Sequence, residues 1–226
     1  MINVFVTNVL IIPQQCPIVR QYVCFSFFYL KEQSFPYLLF PNEVTNSIMS
    51  ADAPALPTYE TLLISLDEHV LTLRFNRPHR LNAVIETLYE ELLDALRFAQ
   101  HAAQVRAVIL TGEGRAFCVG ADMKAHGSAQ RSLFQRRAYL QLGNDACEAI
   151  DQLGKPVVAA VNGYALGAGA EMAVACDFIV MAEDAQIGFP ETSIGTCVGG
   201  GVSKRLPQWV GLGQARRLLY LGDRID

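Results

Sequence analysis

Pro156-Val157-Val158-Ala159-Ala160-Val161-Asn162-Gly163-Tyr164-Ala165-Leu166-Gly167-Ala168-Gly169-Ala170-Glu171 is the stretch that decides the fold. Its first six residues form an apolar run too continuous for a sheet with one wet face, so it reads as a strand covered on both sides. A glycine-rich turn follows, then a helical stretch over about 168–176, then a second apolar run, Phe178-Ile179-Val180-Met181-Ala182. Strand, helix and strand in this order make a βαβ unit with a parallel sheet and a right-handed crossover.

Working outward, Ala107-Val108-Ile109-Leu110-Thr111 is a third covered run, and residues 132–152 have helical character. Val70-Leu71-Thr72-Leu73-Arg74-Phe75 alternates in period two, placing Leu71, Leu73 and Phe75 on one face of a half-buried strand that Asn76-Arg77-Pro78 ends. From Ile85 to His101 the residues Ile85, Leu88, Leu92, Leu96 and Ala99 recur at spacings of three and four, with Glu86, Glu90 and Asp94 outward. That is an amphipathic helix, and Asn82 is its predicted N-cap. A last helix is predicted over about Gly213 to Leu221, with Ala215, Leu218, Leu219 and Leu221 around its axis and Gly222 as C-cap. The class is α/β, without internal repeats.

Composition narrows the function. The chain has 226 residues, 51% of them apolar and 18% charged, with a net charge of -4. Global disorder is excluded, and no basic excess suggests nucleic acid as a partner. Small neutral or mildly anionic ligands fit better. The six cysteines (Cys16, Cys24, Cys118, Cys147, Cys176, Cys197) form no CxxC pair, so they read as reduced, buried thiols in a cytosol-like compartment. His69, His79, His101 and His126 form no metal-ligand spacing, and neither a phosphate loop nor a GxSxG elbow occurs.

Residues 1–50 read differently from the rest: only Arg20, Lys31, Glu32 and Glu43 are charged, and Pro13, Gln14 and Gln15 interrupt the apolar start. The polar breaks forbid a spanning helix, and neither a secretory nor a mitochondrial leader pattern is present. Ala51-Asp52-Ala53-Pro54-Ala55-Leu56-Pro57 is an ordinary lead-in to a domain, which makes Met49 the expected start and residues 1–50 an atypical extension, untranslated or disordered, with an unusual organelle leader over 1–48 as the rival reading. A core is expected over 51–206, and the start of a C-terminal helical region over 207–226.

Two glycine turns follow strands: Thr111-Gly112-Glu113-Gly114 continuing through Gly120-Ala121-Asp122-Met123-Lys124, and Asn162 through Glu171. A turn that leads into a helix presents backbone N–H groups to a negative or polarised oxygen, although glycines also serve tight packing alone. Glu171 is the only charged residue between Pro156 and Cys176, and Glu191 the only one between Ala185 and Ser203. Gly169, Ala170, Met172, Ala173, Val174 and Ala175 surround Glu171 on every side of its helix, so a solvated face is hard to find. Carboxylates in such surroundings have raised pKa values and can divide acid and base duties near neutral pH. A dinucleotide reading competes, since Gly167-x-Gly169 precedes a helix, a strand and Glu183. Against it, Met172 stands where a third Gly or Ala belongs, and five residues separate Val161 from Gly167.

Taken in order, Asn76-Arg77-Pro78 with Leu81-Asn82-Ala83, Leu110-Thr111-Gly112 through Ala116-Phe117-Cys118-Val119-Gly120-Ala121-Asp122, Lys155-Pro156-Val157 through Gly167 and Glu171, Cys176-Asp177, and Phe189-Pro190-Glu191 form a pattern. From about Thr61 to Asp226 the chain resembles the crotonase superfamily, most of all its enoyl-CoA hydratases. The resemblance implies a ββα spiral core of two sheets with helices outside, and a C-terminal helical region that assembles trimers. Because the sequence ends at Gly222-Asp223-Arg224-Ile225-Asp226, where family members continue through further helices, that trimerisation region is expected to be largely missing.

The resemblance further implies that the N–H groups of Ala121 and Ala168 form an oxyanion hole for a thioester carbonyl. Ala121, Asp122, Met123 and Lys124 would contact coenzyme A, with Lys124 near phosphate. Glu171 would be the base acting on water and Glu191 the group that protonates Cα. Possession of both carboxylates favours hydration, or its reverse, over isomerase, dehalogenase and hydrolase chemistry. Val198, where hydratases commonly carry Pro, reshapes the expected acyl pocket. The implied substrate is a 2-enoyl-CoA, with coenzyme A as part of the substrate and no separate cofactor or metal. The implied assembly is a homotrimer or a dimer of trimers, without nucleic acid or membrane, in the cytoplasm, or in mitochondria or peroxisomes of a eukaryotic source. Another crotonase-type isomerase or dehydratase, an incompetent fragment, and RNA binding remain as alternatives. The last is disfavoured by Glu86, Glu90, Glu91 and Asp94 on the first helix.

Overall fold

The computed structural model describes Val9–Ile11 as backbone, and residues 55–127 and 132–226. Apart from those three residues, the extension expected over 1–50 lies outside the described residues, as do Cys16 and Cys24. Along the chain come strands β1 (Val9–Ile11), β2 (Leu62–Asp67) and β3 (Val70–Phe75), helix α1 (Glu86–His101), β4 (Ala107–Gly112), β5 (Ala116–Cys118), α2 (Met123–Gly127) and α3 (Leu133–Asp151). Then follow β6 (Val157–Val161), β7 (Tyr164–Leu166), α4 (Ala168–Ala175), β8 (Phe178–Met181), β9 (Gln186–Gly188), α5 (Val202–Leu221) and β10 (Arg224–Ile225).

The first sheet runs β1-β8-β6-β4-β3-β2, and the second β10-β9-β7-β5. In the first sheet only the β2/β3 hairpin is antiparallel, with Leu62 opposite Phe75 and Asp67 opposite Val70. The apolar runs β4, β6 and β8 form the expected parallel sheet, and β3, expected only as a half-buried strand, joins them beside β4. Of those runs β6 is the most fully buried, whereas β4 and β8 alternate buried with half-buried or exposed residues. An unbroken apolar string carries no information on how completely its second face is covered. The second sheet consists of three-residue strands and one of two residues, too short for a period to show.

Helix α1 lays Leu88, Leu92, Leu96 and Ala99 into the core, where Leu71, Leu73 and Phe75 of β3 are also fully buried. Each such leucine contributes about 1.5–3 kcal/mol of burial. The edges are tied by polar side chains. The Glu91 carboxylate accepts N–H bonds from Glu60 and Thr61, at 2.8 Å each, and so fixes the start of β2 on α1. Lys155 donates to the carbonyls of Ala99 and Ala102, satisfying the C-terminal end of the same helix.

Asn82 is not the N-cap of α1. Ile85 occupies that position with no side-chain cap, and Asn82 sits three residues earlier, fully buried at a positive φ of 57°. Its amide accepts from Arg77 N–H at 2.9 Å and donates to the carbonyls of Glu113 at 3.0 Å and Ala116 at 2.8 Å. The side chain thus ties the turn after β3 to the β4–β5 turn, a tertiary duty that the one-dimensional cap pattern cannot distinguish from a local one.

The last helix agrees with expectation: the backbone of α5 leaves helical geometry at Gly211 (φ 76°, ψ 158°), so Val202–Leu221 is two helices joined across a kink, and the second of them is the helix expected from about Gly213, ending at Gly222 in the left-handed region. Ala215 and Leu218 are buried within this chain, while Leu212, Tyr220 and Leu221 are exposed. Among the thiols, Cys118, Cys147 and Cys176 are free and buried, but Cys197 is exposed, contrary to the reading that all are buried. Among the described residues no helix is long and apolar enough to cross a membrane.

Replacing Asn82 with Ala leaves one N–H and two carbonyls without their partner, each costing about 1–3 kcal/mol where water cannot compensate. Asn82→Ala should therefore lower unfolding free energy by about 2–4 kcal/mol, read as a reduced urea midpoint. A midpoint equal to the parent's would mean that water replaces the amide.

Candidate active site

Two turns meet where the sheets join. In the first, Val84 N–H donates to Gly120 O at 2.8 Å and Asp122 N–H donates to Val84 O at 2.9 Å, a parallel bridge centred on Ala121. Because the flanking groups face Val84, the N–H of Ala121 itself is directed to the other side. In the second, Ala168 is the first residue of α4, so its N–H belongs to the set that has no acceptor within the helix.

Gly120, at a φ of +91°, brings these turns together: a Cβ there would stand 3.0 Å from Leu166 O and 3.4 Å from Ala168 N. Helix α4 is pressed onto β5 just as closely. A Cβ on Gly169 would lie 2.0 Å from Cys118 O, a separation no side chain tolerates.

Glu171 extends from the first turn of α4 and is only 8% exposed. Its Oε1 accepts from Gly199 N–H at 2.7 Å, and next to it Gly200 N–H donates to Asn144 Oδ1 at 2.9 Å. Burial pushes the Glu171 carboxyl above the ordinary glutamate range. The Gly199 bond pulls it back in part, and the charge of Glu191 pushes it up further.

Glu191 lies in the 3-10 turn Pro190–Ile194 and is 9% exposed. A Cβ at Gly167 would stand 3.0 Å from its Oε1 and 3.7 Å from Gly120 Cα, so Glu191 borders both turns. Its Oε2 is buried without a hydrogen-bond partner among the described residues, and burial raises its pKa as well. The structure thus gathers Glu171, Glu191, Ala121 and Ala168 into one region. Met123 and Lys124 are exposed beside it, whereas the Asp122 carboxylate is buried and turned toward Arg77 and Arg80.

Sequence reasoning leaves four participants without a role. Asn144 had no signal beyond helical periodicity, Gly199 and Gly200 were noted only in a glycine run, and Arg77 only in a motif. The dinucleotide reading meets a different obstacle from the one expected. Strand β7 does precede Gly167 directly, but it belongs to the second sheet while β8 belongs to the first, so β7-α4-β8 is no crossover within one sheet. Among the described residues no group of His, Cys, Asp and Glu gathers as a metal site.

The architecture and the paired turns define a crotonase-fold protein. The family model described as "Enoyl-CoA hydratase/isomerase" matches residues 66–226, and the chain belongs to that family. It is 37% identical over 169 residues to a crotonyl-CoA hydratase of Syntrophomonas wolfei, covering 74% of this chain and 64% of that protein. It is 40% identical over 154 residues to the mitochondrial enoyl-CoA hydratase of Pongo abelii, covering 68% of this chain and 52% of the relative. The crystal structure of an enoyl-CoA hydratase from Bacillus anthracis superposes with a TM-score of 0.71 at 38% identity, over 74% of this chain and 64% of that one. The chain therefore spans less than two thirds of the length of these relatives.

Raised carboxyl pKa values have a consequence for stability. Unfolded glutamate titrates near about 4.3, so between that pH and the higher folded values the native state binds more protons. Stability falls as pH rises through this interval. Glu171→Gln removes that contribution while leaving an acceptor for Gly199 N–H. Its urea midpoint relative to the parent's should rise between about pH 4 and pH 8; a pH-independent difference would mean that Glu171 titrates as in water.

Proposed function

We propose that this protein hydrates 2-enoyl-CoA thioesters, and runs the reverse dehydration on the same groups. The observation that carries the reading is the pair of buried glutamates with raised pKa values beside two glycine turns at the junction of the sheets. Family membership and the hydratase names of the relatives support it.

Addition of water to the conjugated double bond builds enolate charge on the thioester oxygen. The N–H groups of Ala121 and Ala168 are the donors assigned to that oxygen, and they stabilise the developing charge more than the neutral carbonyl. Donors held by backbone geometry need no reorganisation when the charge appears. Glu171, as carboxylate, takes a proton from water as its oxygen attacks Cβ. Glu191, as carboxylic acid, gives a proton to Cα. Burial makes Glu171 a stronger base and brings the titration of both carboxyl groups closer to neutral pH, where acid and base duties can be divided between them. The assigned contact for the nucleotide part of the substrate is the exposed segment of Met123 and Lys124, with the cation of Lys124 near phosphate.

The direct test is loss of the enoyl-thioester absorbance band when the protein is mixed with crotonyl-CoA. Glu191→Gln should lower kcat by about 100- to 10,000-fold while changing thioester affinity by no more than a few fold. Equal loss of affinity and turnover, or loss of the folded state, would make Glu191 a structural carboxylate and sink the acid-base assignment.

A further inference from the structure

Arg77 carries no chemistry in the proposed reaction, yet it is 14% exposed and its guanidinium spans two segments of the site's wall. One nitrogen, Nη1, donates to the carbonyl of Ala83, and the other, Nη2, donates to Asp122 Oδ2 at 3.2 Å. Arg80 adds a second cation, with Nε 3.6 Å from the same oxygen. The other carboxylate oxygen, Oδ1, accepts from Lys124 N–H and Ala125 N–H at 3.2 Å each. Asp122 is therefore engaged on both oxygens and only 5% exposed, an arrangement suited to holding backbone rather than to meeting an anionic ligand.

The place where this network acts gives it meaning. Ala83 and Asp122 flank the short parallel bridge in which Val84 is paired with Ala121. That bridge has only two backbone bonds, Val84 N–H to Gly120 O and Asp122 N–H to Val84 O. Gly120 precedes it in a left-handed conformation, so the turn has no side chain of its own to limit rotation about that residue. A planar guanidinium that grips the carbonyl before Val84 and the carboxylate after Ala121 bolts the two segments together.

We propose that Arg77 and Asp122 are positioning residues: their ion pair fixes the direction in which the Ala121 N–H donates to the thioester oxygen. The assignment rests on the hydratase reading and adds to it a residue pair outside the reacting atoms. It also gives Asp122 a duty in orientation in place of contact with coenzyme A. A misdirected donor forfeits stabilisation of the enolate while substrate binding, distributed over the rest of the thioester, is largely retained.

The test uses Asp122→Asn, which keeps shape and acceptor but removes the charge, and Arg77→Gln, which retains a donor but cannot grip both partners. Each is compared with the parent in crotonyl-CoA turnover and in binding a chromophoric aryl-substituted enoyl-CoA, whose absorption moves to the red when its carbonyl is polarised. Expected are a kcat lower by about 10- to 100-fold, a KM within about threefold, and a smaller red shift at saturation. A variant that folds but keeps the parent's kcat and red shift overturns the assignment. So does failure of both variants to fold, which would make the pair a stability element alone. A parent that binds neither thioester overturns the hydratase reading itself, a result distinct from variants that match an active parent.

Discussion

The contact on which the site depends is the approach of the α4 backbone to β5, where Gly169 leaves no room for a side chain against Cys118 O. That one approach brings the N-terminal turn of α4, with Ala168 and Glu171, up to the turn that carries Gly120 and Ala121. It also encloses the helix: Gly169 through Ala175 are all buried, so Glu171 has no route to bulk water along its own element. A raised carboxyl pKa and an outward set of backbone donors are thus two results of one packing decision.

Around this contact, a set of polar side chains substitutes for regular secondary structure. Asn82 joins the turn after β3 to the β4–β5 turn, and Asn162 accepts from Gly112 N–H at 3.1 Å while donating to Gly114 O at 2.8 Å. Asp177 receives Val157 N–H at 2.8 Å and so closes the entry to β6. Each satisfies backbone groups that a short strand or a glycine turn leaves unpaired, which is costly in a dry interior. The chemistry-bearing turns can be irregular because these side chains complete the hydrogen bonding that a ladder would otherwise supply.

Much of this was legible from residue order. Apolar runs give the parallel strands β4, β6 and β8, alternation gives β3 and spacing gives α1, because long periodic elements leave a period to count; the strand order is not legible in them. Isolation of Glu171 and Glu191 among small apolar residues pointed to buried carboxylates, and both are buried. Short elements escaped: β5, β7 and β9 have three residues each, and their pairing is dictated by the turns they link. The role of Asn82 is hidden for a related reason, since a polar residue before a helix looks like a cap whether its partners are local or distant. Asn144 and Arg77 act across separations of 56 and 45 residues, beyond the reach of any local pattern.

Desolvation at the junction of the two sheets lifts two glutamates out of their ordinary range. Site-resolved carboxyl-carbon NMR titration of Glu171 and Glu191 measures this without reference to any substrate. The account predicts midpoints for both above the unfolded value of about 4.3, and a lower Glu171 midpoint once Glu191 is replaced by Gln, because a neighbouring charge has been removed. Midpoints at or below that value for both residues would contradict it.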